Sequence, residues 1–289
     1  MKNYKKKYLE RLHEVSNQVL EPSAFFGHRC LHCYEPLHEA NTEVHQACNK
    51  RFYGQLKTPQ LNYNLNNLQD LATQVIQSQM AVTGVQAKVS LSLFRKEDKN
   101  VTKKLTIVGL YGDYILKPPS EYYQELPELE SVTMHLAAVC GLQVVPHSLV
   151  RLQDDTLCYI TKRVDRTRKG KLLMEDMCQL SERLTEDKYK GSHEQVAKLL
   201  LKYSSSPLLD VGNFYELVLF SFFTGNSDMH LKNFSLLERE GQGLFLSPAY
   251  DLVPTVLVNE ADTEELALTL NAKKRKLKYH DFLAAYENC

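Results

Sequence analysis

A polar turn directly follows the apolar run 213–224 and has the sequence Gly225-Asn226-Ser227-Asp228-Met229-His230-Leu231-Lys232-Asn233. The run is apolar on all sides, which predicts a helix buried in the centre of a domain. Two short strands are predicted after the turn, and Asp251 comes just beyond them. A hairpin of these strands would return Asp251 to Asn233, and such a pair of oxygen ligands suits a hard cation such as Mg²⁺.

The chain changes its pattern near residue 165. Residues 71–164 are predicted to form a β-rich lobe, because short apolar or alternating segments recur there between turn residues. Residues 165–289 are predicted to form a helical lobe, and Ser192-His193-Glu194-Gln195 in it has the form of a capping box. Strands followed by helices indicate an α+β chain with two lobes, with a ligand expected in the cleft between them. The predicted elements of the first lobe are Val89–Leu93, Leu105–Gly109, Tyr114–Lys117, the helix Glu128–Gly141, His147–Leu152 and Leu157–Val164.

The spacing of several charged and amide side chains suits phosphoryl transfer. Asp228 and Asn233 are five positions apart, as in the catalytic loop of protein kinases, where the Asp accepts the proton of the attacking hydroxyl and the Asn holds magnesium. Lys117 ends a predicted strand and Glu130 lies at the start of the next helix, and kinases use such a pair to place an ammonium group on the ATP phosphates. Taken singly, these residues also fit an Asx-rich turn, a solvated strand end and an acidic helix start.

Several short motifs, taken together and in order, resemble the HipA family of bacterial serine/threonine kinases, which act as toxins of toxin–antitoxin systems. The matching motifs span about residues 78–285 and are Thr83–Lys88, Tyr114–Pro119, Glu130, Lys162–Arg166, Glu175–Gln179, Gly225–Phe234 and Pro248–Leu252. The resemblance implies a two-lobed, kinase-like fold, with ATP and Mg²⁺ as cofactors.

The resemblance also implies a role for individual side chains. Asp228 matches the catalytic base, Asn233 and Asp251 match the magnesium ligands, and Lys232 and His230 are placed near the γ-phosphate or the acceptor hydroxyl. The residues implied to contact the nucleotide are the phosphate-covering loop Thr83, Gly84, Val85, Gln86 and Lys88, the lysine Lys117 with its partner Glu130, and the hinge residues Thr161, Lys162 and Val164.

The length of the chain leaves no room for the N-terminal subdomain of full-length HipA. The chain therefore looks like the short HipT-type toxin, with a small HipS-like protein and a DNA-binding, HipB-like antitoxin as partners, so that DNA is contacted only through the antitoxin. The implied substrate is an aminoacyl-tRNA synthetase. Where the family carries autophosphorylated serines, this chain has Ala81 and Thr83, so self-regulation through Thr83 or Ser78 stays open.

An N-terminal segment, residues 1–57, carries a Cys/His cluster within 25–56. Cys30-x-x-Cys33 and His45-x-x-Cys48 offer two ligand pairs, a spacing that favours a structural, tetrahedral zinc site. Unligated thiols are one alternative, and His28, His32 or His38 as a substitute ligand is another. An odd number of cysteines without an apolar leader indicates a reducing compartment. Together with the resemblance to a bacterial family, this predicts a bacterial cytoplasmic protein.

Composition limits the remaining function classes. The 35 basic and 35 acidic residues give no net charge, which argues against a protein that binds nucleic acid over its whole surface. No apolar run approaches the roughly 18 residues that span a bilayer, so no membrane partner is expected. The basic run 273–278 and the Cys/His cluster leave a zinc-dependent nucleic-acid-binding module as one alternative. A catalytically silent, nucleotide-binding scaffold is the other.

Overall fold

A computed structural model of the chain describes residues 28–39, 42–68, 88–94, 103–108, 112–120, 122–123, 125–167, 169–259 and 261–289. The chain divides into two compact units, Met1–Thr58 and Pro59–Cys289.

The first unit contains the helix α1 (Gln46–Tyr53) and a turn that is closed by an antiparallel bridge between Arg29 and Pro36. The helix ends at Gly54, whose φ of +69° is a left-handed conformation that glycine adopts at low cost. The small core of this unit contains buried cysteines together with Val44, and partly buried apolar side chains pack against it.

The second unit contains a five-stranded antiparallel sheet. Its strands are β1 (Val89–Phe94), β2 (Lys104–Ile107), β3 (Tyr114–Lys117), β4 (His147–Arg151) and β5 (Leu157–Lys162). Their order across the sheet is β2-β1-β3-β5-β4, so β3 lies in the centre. That position buries the side chain of Lys117, the last residue of β3. The strands predicted from sequence agree with these bounds to within two residues wherever the structure describes them.

The helix α2 (Leu126–Val139) connects β3 to β4 and packs on β4 and β5. The sequence predicts a helix at Glu128–Gly141 with one apolar face, formed by Leu129, Val132, Leu136 and Val139. The structure shows that this face is the outer one, since Val139 is 85% exposed. The residues of the inner face are instead mostly small or polar, with Met134 as a large apolar exception: Pro127, Glu130, Ser131, Thr133, Met134 and Ala137.

The helical lobe follows, and it carries two further small sheets. Its helices are α3 (Met177–Leu180), α4 (His193–Tyr203), α5 (Pro207–Phe223) and α6 (Tyr279–Glu287). Its strands are β6 (Arg166–Thr167), β7 (Gly170–Lys171), β8 (Met174–Asp176), β9 (Ser235–Arg239) and β10 (Gly243–Leu246). β8, β9 and β10 form one antiparallel sheet, and β6 pairs with β7. The predicted α+β, two-lobed architecture is confirmed.

Two local predictions in this lobe had different outcomes. The capping box forms at the start of α4, where the Ser192 hydroxyl accepts a hydrogen bond from the Gln195 backbone. The predicted burial of α5 on all sides is wrong, because Phe223 is 76% exposed. α5 also begins six residues earlier than predicted, since Pro207 suits the first turn of a helix.

Cys140 and Cys158 lie in apolar stretches of the sequence, which predicts that both are small core residues. This prediction is confirmed for Cys158 and wrong for Cys140. Cys158 is buried in β5, whereas Cys140 follows the end of α2 and is exposed. None of the helices in the described ranges combines the length and the hydropathy that a bilayer-spanning segment needs.

Candidate active site

The polar turn after α5 is held in place by its own side chains. Gly225 has a φ of +66°, and a Cβ atom there would lie 2.4 Å from a methyl group of Val256. The Asn226 side chain accepts a hydrogen bond from the Asp228 backbone at 3.2 Å. The Asn233 amide donates to the Asp228 carbonyl at 3.0 Å. These contacts fix the backbone from which the Asp228 carboxylate projects.

Asn233 and Asp251 line the same cavity in the second unit, which has a volume of about 1520 Å³. The nitrogen of the Asn233 amide is engaged by the turn, so its oxygen is the atom that can serve a cation. Asp251 follows the β9–β10 hairpin, and its backbone has a φ of +62°. One amide oxygen and one carboxylate are a suitable donor set for Mg²⁺.

The side chain of Lys117 joins the two lobes of the second unit electrostatically. Its ammonium donates to Glu130 Oε1 at 2.6 Å and also to Asp251 Oδ1. Lys88, the residue before β1, lies 3.4 Å from the other oxygen of Asp251. The distance along the chain between Lys117 and Asp251 shows that this contact is a product of the fold and not of local sequence.

Burial and charge act in opposite directions on the ionisation of this cluster. Burial alone would lower the pKa of Lys117, but the charges of Asp251 and Glu130 raise it above its ordinary value. Complete burial raises the pKa of Glu130 to about 7 against the opposing charge of Lys117. Burial would also raise the pKa of Asp251, but Lys117 and Lys88 hold it well below its usual range. Asp251 therefore remains ionised and is the stronger partner of the ammonium.

The other two residues expected at the reaction centre also reach this cavity. Lys232 forms an ion pair with Asp176 at 2.8 Å, and Asp176 also caps the helix α3. His230 is buried, and its Nδ1 has no hydrogen-bond partner among the described residues. Burial lowers the pKa of His230 against the charge of Asp228, which favours the neutral imidazole.

Tyr189 is a residue of the site that the sequence reasoning missed. Its hydroxyl donates a hydrogen bond to Asp228 Oδ1 at 2.6 Å. Its position in a polar, lysine-rich segment gives no local signal of this contact, because the two residues are 39 positions apart. Only the fold brings them together.

The structure describes some of the residues that are expected to contact the nucleotide. Thr161, Lys162 and Val164 line the cavity, and the Thr161 hydroxyl donates to the carbonyl of Pro146 at 3.1 Å. Lys88 also lines it. The expected loop residues Thr83, Gly84, Val85 and Gln86 lie outside the described residues, as do Ser78 and Ala81.

The four expected zinc ligands come together in the first unit. The ligand atoms of Cys30, Cys33, His45 and Cys48 all lie within 4.8 Å of one another. His45 Nε2 is 3.0 Å from the carbonyl of Pro36, which leaves Nδ1 facing Cys33 Sγ at 3.4 Å. A ligand imidazole is commonly oriented in this way, by a hydrogen bond from its other nitrogen.

The basic run 273–278 is used partly within the chain. Lys273 forms an ion pair with Asp281 at 2.7 Å, and Lys274 forms one with Glu264 at 3.0 Å. These pairs reduce the positive potential that the run presents to a polyanion.

The fold and the arrangement of Lys117, Glu130 and Asp251 around one cavity define a two-lobed, kinase-like protein. Residues 80–288 match the HipA-like C-terminal domain, and the chain belongs to this family. The resemblance inferred from the ordered motifs is thereby confirmed.

Individual relatives agree with this assignment. A protein of Sinorhizobium fredii named Y4dM, described as a candidate kinase, is 32% identical over 68% of this chain and 49% of its own length. A candidate kinase of Haemophilus influenzae is 27% identical over 61% of this chain and 53% of its own length. The chain thus spans about half the length of these curated relatives.

One solved structure shows the same fold. It is the HipA toxin–antitoxin complex of Shewanella oneidensis with HipB and operator DNA. The match has a TM-score of 0.58 and 22% identity, and covers 75% of this chain and 57% of that one.

Proposed function

We propose that this chain is an ATP- and Mg²⁺-dependent kinase that transfers the γ-phosphoryl group of ATP to a serine or threonine hydroxyl of a protein. The observation that carries the proposal is the buried ammonium of Lys117, held between Glu130 and Asp251 in the cavity that also contains Asp228 and Asn233. Burying a lysine and two carboxylates costs desolvation free energy that can exceed their mutual attraction. We therefore expect the charge of such a lysine to serve a ligand. The phosphates of a nucleotide are such a ligand.

Each residue has a defined task in this reaction. Lys117 binds the phosphates, and Glu130 fixes the direction of its ammonium group. Asn233 and Asp251 would hold Mg²⁺, whose contribution is to neutralise negative charge on the phosphates. Asp228 accepts the proton of the attacking hydroxyl while a new P–O bond forms and the bond to ADP breaks. Burial favours the neutral form of His230, which adds no positive charge next to Asp228.

The surroundings of this centre supply nucleotide binding. Thr161, Lys162 and Val164 lie where the two lobes of the second unit meet, and they contact the adenine side of ATP in this proposal. The family resemblance implies that Lys88 and the segment 83–86 act on the phosphates. Lys232, oriented by Asp176, would contact the γ-phosphate in this proposal.

The family assignment supports a biological role. We infer that the chain is the toxin of a HipA-type toxin–antitoxin system in a bacterial cytoplasm, with an aminoacyl-tRNA synthetase as its substrate class. The HipA relative from Shewanella oneidensis is seen with HipB and operator DNA, which supports a HipB-like antitoxin as partner. A HipS-like protein would complete the shorter, HipT-type form. Autophosphorylation at Thr83 or Ser78 would regulate it.

Intact mass spectrometry tests the activity. The wild-type protein and Asp228→Asn are incubated with Mg²⁺-ATP, alone and with a bacterial lysate, and phosphate is located by peptide mapping. We expect phosphate to appear on the protein or on a lysate protein with the wild type only. Equal incorporation with the wild type and with Asp228→Asn would contradict the role of Asp228, and no ATP binding by the wild type would contradict the function itself.

The Cys/His cluster of the first unit is proposed to hold a structural zinc ion. Three thiols and one imidazole form a closed, four-ligand set that leaves no position for substrate. Elemental analysis of the protein, purified without added metal or chelator, is expected to give about one zinc per chain. Zinc-free protein with intact secondary structure would contradict this assignment.

A further inference from the structure

The hydroxyl of Tyr189 lies beside the carboxylate of Asp228, the proposed catalytic base. It donates a hydrogen bond to Asp228 Oδ1 at 2.6 Å, the short distance typical of an O–H donor on an ionised carboxylate. In the proposed reaction, a serine or threonine hydroxyl must make this same hydrogen bond before it attacks the γ-phosphate. The phenol and an incoming acceptor therefore compete for one carboxylate.

The segment that carries Tyr189 is attached to the turn that it contacts. A 3₁₀ turn at Thr185–Asp187 precedes it, and the carbonyl of Lys188 accepts a hydrogen bond from the backbone of Leu231 at 3.1 Å. The ring of Tyr189 meets the ring of His230 edge-on, with 5.1 Å between their centroids. The phenol is thus placed by contacts with two residues that follow Asp228 in the turn, His230 and Leu231.

The same residue is open to the cavity. Tyr189, Lys188 and Asp228 all line it, and the ammonium of Lys188 lies 5.0 Å from the centre of the Tyr189 ring. The ring is partly exposed, so it can move aside without disturbing a packed core. A residue that served only the core would be buried on this side.

We propose that Tyr189 is a positioning residue that stands in for the acceptor: its phenol holds the Asp228 carboxylate in the orientation for catalysis and must be displaced by the acceptor hydroxyl. This inference rests on the kinase function proposed above. An acceptor that is bound to the protein elsewhere displaces the phenol readily, whereas a free water molecule has no such additional binding. Tyr189 therefore suppresses the transfer of phosphate to water and favours a bound protein acceptor.

The proposal predicts a faster reaction with water when the hydroxyl is removed. Tyr189→Phe keeps the ring against His230 and frees a space beside Asp228 that a water molecule can occupy. The turnover number for Mg²⁺-ATP hydrolysis should rise about tenfold, which corresponds to the loss of one charge-assisted hydrogen bond. The KM for ATP should stay within about twofold, because the phenol does not contact the nucleotide in this proposal.

The experiment compares steady-state hydrolysis of Mg²⁺-ATP by the wild type, Tyr189→Phe, Tyr203→Phe and Asp228→Asn. Tyr203 is an exposed tyrosine at the end of α4, and its substitution should leave the rate unchanged. Asp228→Asn should remove hydrolysis. A residue with only a structural role would give a rate equal to or below that of the wild type, together with a lower melting temperature.

Each outcome bears on one of the two proposals. Hydrolysis that depends on Asp228 but does not rise in Tyr189→Phe overturns the inference and leaves the kinase function intact. Phosphate found on Tyr189 itself also overturns it, because Tyr189 would then be an acceptor. Failure of the wild type to bind ATP overturns the kinase function, and the inference falls with it.

Discussion

The two candidate sites of this chain are built in opposite ways. The ligands of the Cys/His cluster come from one segment between Cys30 and Cys48, and a bridged turn and one helix bring them together. The charged cluster around Lys117 joins a central strand, a helix and the end of a hairpin, and its contact with Asp251 spans 134 positions. A local site depends on its ligands for its stability, whereas an assembled site depends on the whole fold.

The largest expected effect concerns the local site. Cys48→Ala removes one of four ligands, and on the order of 10 kcal/mol of metal-binding free energy is at stake in such sites. We expect the zinc content to fall from about one ion per chain to almost none. The backbone amides of α1 should at the same time lose their protection from hydrogen exchange. Cys140→Ala, at an exposed cysteine outside the cluster, is the control and should keep the metal. Equal zinc content in both variants would remove the distinction between the two sites.

This contrast also explains what the sequence could predict. The ligand spacing of Cys30, Cys33, His45 and Cys48 is visible directly, because a turn and one helix suffice to bring such residues together. The cluster of Lys117, Glu130 and Asp251 could be inferred only from the order of several motifs in one family. Tyr189 could not be inferred, because neither its neighbours nor its spacing reflects the contact with Asp228.

The errors in the fold have a related cause. The apolar face of α2 was readable from periodicity, but periodicity does not say which face meets the sheet. Small residues and the buried Glu130 form the inner face, since the helix must approach Lys117 closely. Periodicity likewise predicts α5 as a helix but does not show that one of its sides, with Phe223, is exposed.

The second effect tests the assembled site. Lys117→Met leaves Glu130 and Asp251 without their shared ammonium, and breaking a buried ion pair in this way costs about 3–5 kcal/mol of stability. We expect the urea concentration at the midpoint of unfolding to fall clearly, and ATP turnover to be lost. The exposed pair of Lys169 and Glu240 offers the matched control. Lys169→Met should leave the midpoint almost unchanged, and equal effects of the two substitutions would show that burial does not decide the strength of the pair.

A third effect concerns the turn that carries Asp228. Gly225→Ala forces a side chain onto a backbone with positive φ and into contact with Val256, at a cost of roughly 2–4 kcal/mol. The resulting displacement of the turn should reduce ATP turnover more than ATP binding. Gly212→Ala is the control: it lies within α5, where a Cβ atom meets nothing within 4 Å. That substitution should stabilise the helix by about 0.5–1 kcal/mol.

The smallest effect depends on pH and on His193, the buried first residue of α4. His193 packs against Phe214 and Phe234, and neither of its ring nitrogens has a partner among the described residues. Burial lowers its pKa to about 3, while the unfolded chain titrates near the ordinary value of 6.5. The unfolded state therefore binds more protons below pH 6.5, so stability is present above that pH and falls as the pH decreases.

We expect this residue to cost about 2 kcal/mol of stability between pH 7 and pH 5. Chemical denaturation at the two pH values measures the difference. His193→Leu should make the stability less dependent on pH by that amount. An identical pH dependence in the wild type and the variant would show that His193 is hydrated or paired in solution.

The central claim is that the cluster around Lys117 binds ATP together with Mg²⁺. The most direct test is calorimetric titration of ATP into the full chain, with and without Mg²⁺. The assembled site predicts binding that strengthens with Mg²⁺ and is lost in Lys117→Met. It also predicts that Asp251→Asn removes the dependence on Mg²⁺. Absence of ATP binding by a folded wild-type protein, or binding that Lys117→Met leaves unchanged, would contradict the account.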